Sequence, residues 1–206
     1  MKIFTIAASG SLLGALVAGC ASLSGGTADY DKAAAEALRS SFRAEGIAGL
    51  DRLDQDPIQK ACSTGENISD AQRKAIESAA LATVKYPADG KFLGDWKEGE
   101  KQAQSGRGMT WTDKPGQVNG GNCYNCHQIT RQEISFGTIG PSLLGYGKLR
   151  GNSAEIQRYT WAKMWNPHAF NACTNMPRFG DKGVLTEQQI KDIMALLLDP
   201  ESPVNK

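Results

Sequence analysis

Apolar residues recur at helical spacing in several stretches of this chain, and almost nowhere do they alternate as a half-buried strand requires. The clearest stretch is 186–198: Ile190, Ile193, Met194, Leu197 and Leu198 share one helical face, Thr186 with Gln189 reads as a capping box, and Asp199-Pro200 ends the element. Ser69 with Gln72 opens a second candidate, whose narrow stripe of Ala71, Ala75, Ile76, Ala79 and Ala80 runs toward Val84 and stops at Tyr86-Pro87. Residues 31–44 are rich in Ala, Glu, Leu and Arg with no breaker and predict a third helix. Residues 95–103 predict a fourth, amphipathic one. Gly99 inside it is unfavourable by about 1 kcal/mol relative to Ala, so a close helix crossing is expected at that point. The expectation is an all-α fold.

The N-terminus follows a different pattern. Lys2 precedes a mostly apolar run at 3–18 that is too short and too rich in Ser and Gly to span a bilayer stably, which reads as an export leader. Residues 16–20, Leu-Val-Ala-Gly-Cys, resemble the lipobox of bacterial lipoproteins, in which Cys20 takes lipid and becomes the mature N-terminus; the alternative is an ordinary cleaved leader with a chance cysteine. Residues 21–27 would then form a flexible tether. The expected organisation is a lipoprotein-type signal peptide at 1–20, a tether and helical extension at 21–93, and the main domain at 94–206. The formal net charge is +1 with signs mixed along the chain, so neither nucleic acid nor an anionic membrane patch is expected as a partner. Contact with a membrane would be through the lipid alone, in the periplasm.

Candidate chemistry concentrates at Cys123, Cys126 and His127, a C-x-x-C-H motif after a Gly/Asn-rich loop. Two thiols at this spacing can add to the vinyl groups of a haem while the adjacent imidazole reaches the iron, so one covalently attached haem c is expected. Tyr124 and Asn125 are read as filling the gap. A zinc site would need a second ligand pair, and a redox-active C-x-x-C would sit at a strand-to-helix junction; the sequence offers neither. With Cys20 assigned to lipid and two cysteines to haem, Cys62 and Cys173 remain, and in an oxidising compartment they are expected to form a disulfide, two buried free thiols being the alternative.

The arrangement is similar to class I cytochromes c, whose first and last helices cross over the haem. That resemblance makes the fold a class I cytochrome c-like domain with a helical N-terminal extension. It assigns Met176, in Asn175-Met176-Pro177-Arg178-Phe179-Gly180, as the distal iron ligand, with His168 as competitor, Met109 as a weaker rival, and Met164 and Met194 as core. It also gives Pro141, in Ile139-Gly140-Pro141-Ser142-Leu143, a carbonyl that accepts a hydrogen bond from His127. Leu143, Leu144 and Tyr146 would wall the haem.

Gly-Asp-Trp-Lys-Glu-Gly-Glu at 94–100, Gly-Arg-Gly-Met-Thr-Trp-Thr-Asp at 106–113, the motif at 120–128, Gly-Pro-Ser-Leu at 140–143, the methionine segment at 175–180 and Leu-Leu-Asp-Pro-Glu-Ser-Pro-Val-Asn at 197–205 together resemble the SoxX family. SoxX is the monohaem subunit of the SoxAX cytochromes of bacterial sulfur oxidation. The resemblance covers roughly 90–206 well and the extension around Cys62 less securely, and the lipobox departs from a soluble periplasmic form. It implies an electron-transfer subunit of a heterodimeric L-cysteine S-thiosulfotransferase, with a SoxA-like haem subunit, a SoxYZ-like carrier and a small cytochrome c acceptor as partners. No catalytic residue is expected on this chain. A freestanding lipid-tethered electron carrier is the alternative, and a gas-sensing haem protein a third reading that the Pro-stiffened methionine loop disfavours.

Overall fold

A computed structural model of the chain describes residues 29–63 and 68–206; the expected leader, tether and Cys20 lie outside the described residues. Helix α1 (Tyr30–Ser41) belongs to a unit ending at Phe42, and a second compact unit spans Arg43–Lys206. Asp29 caps α1 by accepting from the Lys32 amide, and the helix stops three residues short of the expected end, where Phe42 turns extended.

The second unit contains α2 (Pro57–Ser63), α3 (Asp70–Ala82), α4 (Trp96–Gln104), α5 (Tyr146–Arg150), α6 (Ala154–Trp165) and α7 (Glu187–Leu198), joined by loops and short 3-10 turns. Among the described residues the sole β feature is an isolated bridge between Glu45 and Ala48, so the fold is all-α. Both capping boxes form: Ser69 with Gln72 opens α3, and Thr186 with Gln189 opens α7. Gln189 carries more than its cap, since its Nε2 also donates to Gln102 Oε1 and to the Asn119 carbonyl, tying α7 to α4 and to the loop after it.

α4 crosses α7 at Gly99, where an added Cβ would lie 2.1 Å from the Asp192 carbonyl oxygen. The two backbones therefore touch, and the glycine that helix propensity disfavours is what permits the contact. Asp192, buried on α7, accepts from the Asp95 amide at 2.9 Å and fixes the start of α4. Gly99→Ala is expected to destabilise the protein by about 1–3 kcal/mol through this overlap, read as a lower denaturant midpoint with haem still attached; an unchanged midpoint would contradict the crossing.

The core centres on Trp161, Ile129, Ile190, Met194, Leu196 and Leu198, all fully buried, with Phe92 edge-on to Trp161 at 5.7 Å. The segment after α3 joins this core. The Trp161 indole donates to the Lys85 carbonyl (2.8 Å), Asn166 Nδ2 donates to Thr83 Oγ1 (3.0 Å), and the Arg158 guanidinium lies 3.9 Å from the centre of the Tyr86 ring. The C-terminal turn closes the other end: Asn205 Nδ2 donates to the Leu197 and Asp199 carbonyls, and its Oδ1 accepts from the Gly147 amide at the start of α5. That turn gives the 197–205 motif a physical role, the capping of α7 and α5 together.

Candidate functional site

Residues 122–127 fold into a tight turn that aims three side chains at one wall. Asn122 adopts a left-handed conformation (φ 49°), and the amides of Cys126 and His127 both bond the Cys123 carbonyl. Cys123 and Cys126 carry no disulfide. Before haem attachment, desolvation pushes the Cys123 thiol up to about 12.

The following segment is laid along this turn by backbone bonds. Gly137 N–H donates to the Tyr124 carbonyl, Gly140 N–H to Cys126 and Leu143 N–H to Gln128. This register brings Gly140 flat against the His127 ring, where an added Cβ would come within 2.2 Å of Cε1, and sets the Pro141 carbonyl 2.7 Å from His127 Nδ1. A carbonyl can only accept, so Nδ1 carries the proton and Nε2 is left with a lone pair for a metal.

Tyr124 is more than a spacer. It is buried, its hydroxyl donates to Glu100 Oε1 (2.8 Å) and shares a 3.0 Å contact with Thr130 Oγ1, and it thereby ties the turn to α4. Desolvation raises the Glu100 carboxyl above its ordinary value despite the Tyr124 bond, and its Oε2 is buried with no partner among the described residues.

A cavity of about 840 Å³ opens on this turn. Cys123, Cys126, His127 and Pro141 line one side, Met176 and Phe179 come from the 171–180 loop, and Leu143, Leu144 and Tyr146 contribute as expected of wall residues. Volume, paired thiols, a proton-fixed imidazole and a thioether among the lining side chains together fit a haem. Arg150 and Lys163, which sequence reasoning did not single out, place positive charge on the wall, of the sign a haem's carboxylates require. Desolvation holds Lys163 below its ordinary value, against the pull of Glu77.

The rival ligands separate by position. His168, expected as either a ligand or a surface residue, is neither on the cavity wall nor exposed: it is buried in the turn Pro167–Ala169, with Nδ1 2.7 Å from the Ala172 carbonyl. Met109 is exposed, outside the wall, and Met194 is core. Met164, expected as core, is buried but does reach the wall. Among the described residues there is no cluster of three or more His, Cys, Asp or Glu that could hold a metal ion.

Cys62 of α2 and Cys173 form a disulfide with a sequence separation of 111, worth about 4–5 kcal/mol in the chain-entropy account. At the other end of α2, Asp56 accepts from Arg178 Nη2 at 2.6 Å, in a pair whose side chains are 28% and 13% exposed. Burial works against ionisation of Asp56, but the Gln59 amide and Arg178 outweigh it and hold its carboxyl below the ordinary value. No helix among the described residues is long and apolar enough to cross a membrane.

Two comparisons with known proteins bear on this site. The cytochrome c family profile matches residues 113–199, the span from before the haem motif to the end of α7. An uncharacterized lipoprotein of Aquifex aeolicus (strain VF5) is 40% identical over 158 residues, which cover 74% of this chain and 73% of that protein. The chain belongs to the family of that lipoprotein, carries a cytochrome c domain, and takes a covalently attached haem c.

Proposed function

We propose that this electron-transfer cytochrome c serves as the haem subunit of a SoxAX-type L-cysteine S-thiosulfotransferase, taking up and passing on electrons released when thiosulfate is joined to a cysteine of a SoxYZ-like carrier. Cys123 and Cys126 hold the haem through thioethers, His127 Nε2 and Met176 Sδ ligate its iron, and Pro141 fixes the imidazole tautomer. When bound, the haem supplies a one-electron iron couple of raised potential, because a thioether favours ferrous iron.

The electron count sets the division of labour. Joining thiosulfate to a thiol forms one sulfur–sulfur bond, breaks one S–H bond, and releases one proton and two electrons. One iron accepts one electron, so a second centre on a SoxA-like partner is required. This chain supplies no nucleophile and hands its electron to a small cytochrome c.

One observation carries the subunit reading: the cavity mouth has an apolar rim. Ile139 and Leu149 line it at 74% and 81% exposure, and Ile134 on the same 131–140 loop is 96% exposed. Apolar groups of this size at the edge where electrons leave suit a permanent partner. The freestanding carrier draws support from Lys148 and Arg150, which flank Leu149 and suit brief encounters with an acidic partner. Both readings place the chain in the periplasm on a Cys20 lipid anchor, supported by the lipobox and by the name of the Aquifex aeolicus relative.

Mixing the holoprotein with a SoxA-like subunit, the carrier and thiosulfate tests the proposal. Haem reduction that needs all three additions is expected. A ferric spectrum that persists in the complete mixture would overturn it.

A further inference from the structure

Met176 sits on a stretch of chain with few local supports. Its amide bonds Thr174 Oγ1 at 3.2 Å, Pro177 has no amide to donate, and the Thr174 amide bonds back to Asn171 within the same loop. The loop ends are also held by His168, whose Nδ1 lies 2.7 Å from the Ala172 carbonyl, and by the Gly180 amide donating to the Trp165 carbonyl, but among the described residues the covalent bond and the ion pair that flank Met176 both come from α2. Cys173, three residues before Met176, is bonded to Cys62 in the last turn of α2. Arg178, two residues after it, pairs with Asp56, the residue just before the same helix. Asp56 is itself held by reciprocal bonds with Gln59, each at 2.9 Å, so the carboxylate that grips Arg178 is fixed in place.

Resting on the reading of Met176 as the iron ligand, we propose that α2 is a strap that holds Met176 against the iron, with Asp56 and Cys62 as positioning residues at its two ends. They are six positions apart, about 9 Å at 1.5 Å per residue of helix, and the ligand lies between the two points of the loop that they pin. The short helix thus sets the spacing of both ends of the ligand loop. This gives the extension a task at the cofactor: it lowers the population of open loops, in which the thioether has left the iron and a competing ligand can enter. An external ligand that binds only the open form gains apparent affinity in proportion to that population.

Imidazole titration of the ferric holoprotein, followed through the sulfur-to-iron absorption band, reads the open fraction. Cys62→Ser with Cys173→Ser is expected to raise apparent imidazole affinity about tenfold or more. Asp56→Asn, which keeps a helix-capping side chain but loses the charge, is expected to raise it about threefold, with Asp56→Glu returning it toward the parent value. Gly99→Ala, which weakens the fold away from the strap, is expected to leave it unchanged. Strap variants within twofold of the parent, or Gly99→Ala matching them, would overturn the strap while leaving the ligand assignment standing. A parent spectrum without the sulfur-to-iron band would overturn the ligand assignment and the strap together.

Discussion

Cys123→Ser combined with Cys126→Ser is expected to convert a haem that resists acidified organic solvent into one that is fully extracted by it. The thiols lie on one wall of the cavity within a turn closed by the Cys123 carbonyl, and neither is engaged in a disulfide. A hydroxyl at either position is a far poorer nucleophile toward a vinyl group, so no thioether forms. His127 keeps its bond to Pro141, and some haem is expected to remain bound without attachment. The measurement is the split of haem absorbance between protein and solvent phases. Haem that stays with the doubly substituted protein would contradict covalent attachment at these two residues.

Met176→Ala is the second large effect. Covalent attachment is untouched, so haem content is expected to equal that of the parent. The sulfur-to-iron band is expected to vanish, and the potential to fall by on the order of 100 mV, since about 59 mV corresponds to each tenfold change in the relative affinity of a ligand for ferrous and ferric iron. A spectrum that keeps the band would transfer the ligand to Met164, the other thioether on the wall. His168 is not a candidate for that outcome, because its ring is buried against Ala172 away from the cavity.

What could be read from sequence was what local chemistry decides. The boxes at Ser69/Gln72 and Thr186/Gln189 use residues three apart, and each marks a helix start in the structure. Gly99 was informative because it violates helix propensity, and the violation points to the backbone contact with Asp192. Helix α6 gave no such signal: with Thr160, Trp161, Ala162 and Met164 all buried, its apolar and polar residues follow no single stripe. Tyr124 escaped notice because its partners, Glu100 and Thr130, are assembled only by the fold. The pairing of Asp56 with Arg178 lies further still beyond sequence reach, since 122 residues separate the two. The Cys62 and Cys173 pairing, inferred by elimination, was legible together with its place in the segment beside Met176, because Cys173 is only three positions away in the sequence.

We propose that this cytochrome c works as one subunit of a larger haem assembly. Purifying the tagged chain from its own host and measuring the native particle's mass, composition and haem count tests that directly. A particle holding this chain with its single haem together with a larger haem protein is the predicted result. Recovery of the chain alone, with one haem, would contradict it and leave the freestanding carrier.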